Sequence, residues 1–280
     1  MPIKDVDITQ RQPVNALLYG PSNGGKTSFI GTWDRVAVIV TEKTSSLGAL
    51  SDLHRRTGIK PVRVAVAENR DDVSEFLEWL EQPATRQIVG TVAFDSITQH
   101  GNNLLLQVID EHKAVFGKAL RTPENPEMQD WQRILIPELR LIKRLSDMGY
   151  STVMTAHART WIDPISRRKY RIAQATGQTK DMLAIPETYY PNLRGQLGDV
   201  LPHFFNLVAF MYFDTSVGEW RACFRQTGTY FAKTQYSLLP DMIVNPTYDL
   251  MLQGKDGKLA QIAPEPEPDS ADEEDTVPNF

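Results

Sequence analysis

Apolar blocks alternate with helically spaced segments through most of this chain. Ala16-Leu17-Leu18-Tyr19 is the first apolar run, and a glycine-rich turn and a helix follow it. Val36-Ala37-Val38-Ile39-Val40 is rich in β-branched residues and free of polar ones, which predicts a strand buried on both faces, as in a parallel sheet. It ends at Thr41-Glu42. The alternating Val62-Arg63-Val64-Ala65-Val66 predicts a strand nearer an edge, and Val73, Phe76, Leu77 and Leu80 then mark a helix over 71–81. Ile88 to Phe94 predicts the next strand, closed by Asp95-Ser96, and Leu104, Leu105, Val108 and Ile109 share one face of the helix after it. Residues 115–128 carry Pro, Gly and charge and predict a long loop. A helix follows with Trp131, Leu135, Leu139, Ile142 and Leu145 aligned, and Pro137 is placed to kink it near its start. Thr152 to Ala156 predicts a strand capped by His157, opening a polar connection over 158–195. Leu207–Phe213 and Trp220–Arg225 flank a turn at Gly218 and predict an antiparallel hairpin.

This alternation implies an α/β fold with a mainly parallel central sheet, right-handed crossovers and a C-terminal antiparallel hairpin. With 280 residues the chain is long enough for one large core plus appendages, so residues 1–262 are read as one domain, with 158–195 as a mobile basic loop region. Residues 263–280, rich in Pro, Glu and Asp, are read as a disordered acidic tail.

Charge changes the picture once the tail is set aside. The net charge is −5, but the last 17 residues hold seven acids and no base, so the body alone carries +2. A mildly basic body with an acidic tail is compatible with a polyanionic partner. The single cysteine, Cys223, excludes an internal disulfide and a multi-cysteine metal site, and it reads as a small strand residue. No apolar run approaches the length of a membrane span and the first residues lack a signal-peptide core, so a cytoplasmic protein without membrane contact is expected.

The chemistry is concentrated in Gly20-Pro21-Ser22-Asn23-Gly24-Gly25-Lys26-Thr27-Ser28, a P-loop lying between a strand and a helix. Glycines let successive backbone N–H groups turn inward at a helix start, where the dipole favours anions, so this stretch is the candidate binding site for the phosphates of ATP. Lys26 is placed to reach the β and γ phosphates, and the Thr27 hydroxyl to supply one oxygen ligand to the accompanying Mg2+. Asp95, at the end of an apolar strand, fits the Walker B carboxylate that holds this metal. Ser96 follows it, so the water-activating carboxylate must come from elsewhere, and Glu42 at the end of the preceding buried strand is the candidate. His157 ends the later strand, in position to touch the γ-phosphate and report its loss to the following segment.

Together, the P-loop, Val40-Thr41-Glu42, Phe94-Asp95-Ser96 and Thr155-Ala156-His157 resemble the RecA-like ATPases. With Tyr190-Pro191-Asn192-Leu193-Arg194-Gly195 and Phe231-Ala232-Lys233-Thr234, the chain is similar to phage-encoded RecA-like ATPases that act as recombination mediators and single-strand annealing proteins. The resemblance spans about residues 15–239. It implies a RecA-like P-loop NTPase core, a homo-oligomer in filament or ring form, and ATP-dependent binding and pairing of single-stranded DNA. It also places DNA contacts in the loops at 115–128 and 158–195. The second holds Arg159, Arg167, Arg168, Lys169 and Arg171 with Trp161 and Tyr170 interleaved, cations for phosphates and rings for bases. A neighbour's cation completing the ATP site is a further family feature, for which Arg225 and Lys233 are the candidates, although Lys233-Thr234-Gln235 lacks a second basic residue. The closing acids and Phe280 resemble the acidic tip of bacterial single-stranded DNA-binding proteins and suggest such a protein as a partner; a plain solubilising tail fits the same composition. A P-loop phosphotransferase using 158–195 as a lid, and a nucleotide-switched accessory module in phage DNA replication, stay open as alternatives.

Overall fold

A computed structural model describes residues 12–116, 126–161, 188–193 and 197–259. A ten-stranded sheet runs through the molecule in the order β10-β8-β7-β1-β5-β4-β2-β3, with β6 added to β5 and β9 to β7. The strands are β1 (Asn15–Gly20), β2 (Val36–Val40), β3 (Arg63–Val66), β4 (Thr91–Asp95), β5 (Ser151–Trp161), β6 (Thr188–Pro191), β7 (Leu207–Asp214), β8 (Glu219–Cys223), β9 (Lys233–Thr234) and β10 (Met242–Val244). From β3 to β7 every neighbouring pair is parallel, and β8 and β10 complete the sheet antiparallel. The mainly parallel α/β architecture with a terminal hairpin is therefore present, and β3 does lie at the sheet's edge.

Strand alternation divides one sheet between two cores. Leu17, Tyr19, Ala37 and Ile39 face a layer containing Phe76, Leu80 and Ile142, while Ala16, Leu18, Val36 and Val38 face Phe29, Trp33 and Leu50. Because both faces are covered, the central strands carry no exposed polar positions, as their composition requires. The first layer holds α3 (Arg70–Glu81) and α6 (Met128–Asp147); the second holds α1 (Lys26–Gly31) and α2 (Lys43–Thr57). Asn69 caps α3 in a reciprocal capping box with Asp72. Among the described residues no helix is long and apolar enough to cross a membrane.

Three sequence expectations change. The strand expected from Ile88 begins only at Thr91, because Pro83 starts a short helix α4 (Pro83–Ile88) whose last residue, Ile88, faces solvent. The segment expected to loop from residue 115 stays in α5 (Ile97–Phe116) to Phe116. The strand expected to end at His157 continues to Trp161, because β6 pairs with it antiparallel, Arg159 opposite Tyr190 and Trp161 opposite Thr188. Arg159 thus belongs to a ribbon rising beyond the sheet, not to a free loop. Helix α6 runs unbroken through Pro137.

Candidate nucleotide site

The carboxyl ends of β1, β4, β2 and β5 meet at one cavity of about 420 Å³. Its floor is the loop between β1 and α1. The loop passes so close to β7 that a Cβ on Gly20 would lie 1.9 Å from the Met211 carbonyl oxygen. Gly25, at the start of α1, has φ +80°, and a Cβ there would meet the Trp220 ring at 2.6 Å. Glycine is required at both places by backbone geometry and by the neighbouring strand.

Lys26 spans this floor, its Nζ donating to Gly20 O at 3.0 Å and Pro21 O at 2.7 Å. Burial holds the Lys26 ammonium below its ordinary pKa, and Asp95 and Glu42 act in the opposite sense. Phosphate oxygens are the ligand such a desolvated cation favours.

Asp95 is almost fully buried and accepts hydroxyl hydrogen bonds from three elements: Thr27 of α1 at 2.8 Å, Ser46 of α2 at 2.7 Å, and Thr155 of β5. The Asp95–Ser96 peptide is cis. Thr27 Oγ1 and Asp95 Oδ2 form a pair of hard oxygens beside the phosphate floor, a donor set that fits Mg2+, an ion that keeps several waters and takes few protein ligands. When bound, the metal would neutralise charge on the phosphates.

Glu42 stands across the cavity at the end of β2. His157 Nε2 donates to its Oε1 at 2.5 Å and the Ser96 hydroxyl donates to the same oxygen. These bonds, the one from His157 foremost, hold the Glu42 carboxyl down at about 2 against the opposing effect of burial, with Lys26 a smaller contributor. An ionised carboxylate fixed beside the phosphate floor can orient a water for attack and accept its proton.

His157 also joins the site to the ribbon. Its backbone N–H donates to Thr98 Oγ1, that hydroxyl donates to Asn192 O, and Asn192 N–H donates to His157 O. The structure brings Lys26, Thr27, Ser28, Glu42, Asp95 and His157 around one cavity. Arg225 and Lys233 lie elsewhere: Arg225 pairs with Asp241 at 2.6 Å, and Lys233 lines a second cavity with Arg159. Arg167, Arg168, Lys169 and Arg171 fall outside the described residues, as do most of 158–195 and the acidic tail. Sequence reasoning missed Ser46 and the role of Thr155. Ser46 follows Glu42 by one helical turn and Thr155 precedes His157 by one strand period, so both spacings pointed inward once Glu42 and His157 were chosen.

A glycine-lined phosphate loop, a buried carboxylate beside its threonine and a second carboxylate across the cavity define a P-loop nucleotide-hydrolysing domain. Residues 12–236 match the AAA domain family, and the chain belongs to it. Membership supports ATP as the nucleotide and hydrolysis as the reaction. No curated protein matches the chain.

Proposed function

We propose that this AAA-domain ATPase couples ATP hydrolysis to the binding of single-stranded DNA and promotes the pairing of complementary strands. In this reading Lys26 and the loop amides hold the phosphates, Thr27 and Asp95 hold Mg2+, and Glu42 orients the attacking water. His157 senses the state of the γ-phosphate through Glu42.

The observation that carries the proposal is the double attachment of His157. Its ring binds the candidate base Glu42, while its backbone is bonded to Asn192, the residue that follows β6. A displacement of His157 on nucleotide turnover is therefore transmitted to the β5–β6 ribbon. That ribbon supports a cavity of about 350 Å³ lined by Arg159, Tyr190, His203, Phe231 and Lys233. The Tyr190 and Phe231 rings stack at 5.4 Å between centroids. Cations beside stacked rings suit a flexible strand, with phosphates on Arg159 and Lys233 and bases against the aromatic surface. The remaining basic residues, Arg167, Arg168, Lys169 and Arg171, lie between the two strands of the ribbon in sequence and extend the proposed footprint.

Assembly of copies along a strand, as a filament or a ring, belongs to the same proposal. With Lys233 serving the strand, Arg225 is the cation proposed for a neighbouring copy's nucleotide; it does not line its own chain's phosphate cavity. The test is steady-state ATP turnover with and without an oligothymidylate. The proposal expects a saturable rise that Lys26→Ala abolishes. Turnover indifferent to DNA but raised by a small hydroxyl acceptor would favour a phosphotransferase instead.

A further inference from the structure

The phosphate cavity does not end at the loop. Past Gly25, Ser28, Arg56 and Trp220, which line both spaces, it opens into a second compartment of about 250 Å³ between α1, the end of α2 and the residues after β10. We propose that this compartment holds the base of the bound nucleotide, with Trp220 of the β7–β8 hairpin as its stacking platform and Asn245 facing the base edge. The inference rests on the nucleotide reading of the P-loop and extends it to which base is accepted.

Three observations support it. First, Trp220 is held against the loop rather than loosely exposed. Its indole Nε1 donates to Asn23 O at 3.2 Å, its ring meets Gly25, and Phe213 packs against it at 5.1 Å between centroids, yet more than a third of the residue remains accessible. A large aromatic fixed beside a phosphate site with its surface open is preorganised for a flat partner. Second, the walls offer contact area rather than hydrogen bonds. Leu53, Ile59 and Pro246 contribute apolar surface, while the hydroxyls of Thr32 and Thr57 are spent on the backbone carbonyls of Phe29 and Leu53. Third, Asn245 is locked by a reciprocal pair of bonds: its N–H donates to Trp220 O at 2.6 Å and its Oδ1 accepts from Trp220 N–H at 3.1 Å, with φ at +45°. Its side-chain oxygen already accepts that bond, and Nδ2 is the donor it offers.

The Asn245 amide suits a ring-nitrogen acceptor, which adenine and guanine share, and a bond to that atom does not discriminate between their 6-substituents. The compartment is accordingly a purine site whose grip comes from stacking, with little selection between ATP and GTP.

The test compares calorimetric affinities for MgATP and for magnesium tripolyphosphate, which has no base, in the wild type, Trp220→Ala and Trp220→Phe. Loss of the ring should weaken MgATP at least tenfold and leave tripolyphosphate unchanged, the scale of one base–aromatic stack. Trp220→Phe keeps a ring but loses the bond to Asn23, and should stay within about threefold of the wild type for both ligands. GTP should displace MgATP from the wild type within about tenfold of ATP itself. Equal weakening of both ligands in Trp220→Ala and Trp220→Phe would overturn the proposal and make Trp220 a support of the loop. Unchanged MgATP affinity in a folded Trp220→Ala would place the base elsewhere, and exclusion of GTP by more than 100-fold would overturn the role given to Asn245. A wild type that binds neither ligand would overturn the P-loop reading itself, a result distinct from each of these.

Discussion

Replacing Glu42 with Gln tests the centre of the catalytic arrangement, because it keeps the shape and removes the charge. The Glu42 carboxyl sits at about 2 instead of the ordinary 4.5, chiefly through the bond from His157. A depressed carboxylate contributes stability that is complete above the unfolded value and is lost as pH falls toward the folded one. The full difference corresponds to a ceiling of about 3.4 kcal/mol. With 23% of the side chain in water, we expect about 2 kcal/mol to be realised. The stability gap between wild type and Glu42→Gln, measured by urea denaturation, should be about four-fifths of its neutral value at pH 4.5 and fall to about one-fifth of it at pH 3. In the same variant kcat for ATP should fall by about 10² to 10⁴, the contribution of a positioned base, with MgATP affinity retained. A stability gap identical at pH 7 and pH 3 would refute the ionised, bonded state of Glu42. Undiminished turnover would refute its role as base.

Thr155→Val is nearly isosteric and removes a fully buried hydroxyl bonded to Asp95, so it should cost about 1.5–3 kcal/mol in thermal or urea unfolding and lower turnover; unchanged stability would mean that the hydroxyl does not hold the carboxylate. Glu138 on α6 is buried, its Oε1 has no partner among the described residues, and burial pushes its carboxyl up to about 8. A raised carboxylate destabilises increasingly as pH climbs from 4.5 toward 8, so Glu138→Gln should be more stable than wild type by about 2 kcal/mol at pH 7 and by little at pH 4.5, and a pH-independent difference would contradict this. Arg159→Ala with Lys233→Ala should reduce the slope of log affinity for single-stranded DNA against log salt by about 1.4, two phosphate contacts' worth, and an unaltered slope would remove these residues from the footprint.

The parts legible in the sequence were those where each position has its own physical task. Gly20, Gly25, Lys26 and Thr27 are constrained by loop geometry and phosphate chemistry, and the unbroken run Val36–Val40 has no reading other than a strand covered on both sides. Helix α2 was not legible, because only Ser46, Leu50 and Leu53 of its fifteen residues are buried, too few for a clear apolar stripe. Ile88 misled because it is apolar but half exposed, its place set by the turn of helix that Pro83 begins. Strands of two and three residues such as β9 and β10 exist only through their partners. The hydroxyl cage of Asp95 became visible only through register: β4 pairs Phe94 with Met154, which sets Thr155 beside Asp95. Trp220 lies some 195 residues from the loop it touches, and no local pattern announces that contact.

The central claim is that nucleotide state at the P-loop governs the grip on single-stranded DNA. It is tested most directly by the affinity of the wild-type protein for a fluorescent oligothymidylate, measured in magnesium with a non-hydrolysable ATP analogue and then with ADP. The account predicts at least tenfold tighter binding with the analogue, and loss of that difference in His157→Ala. Equal affinity in both nucleotide states, or no binding in either, would contradict it.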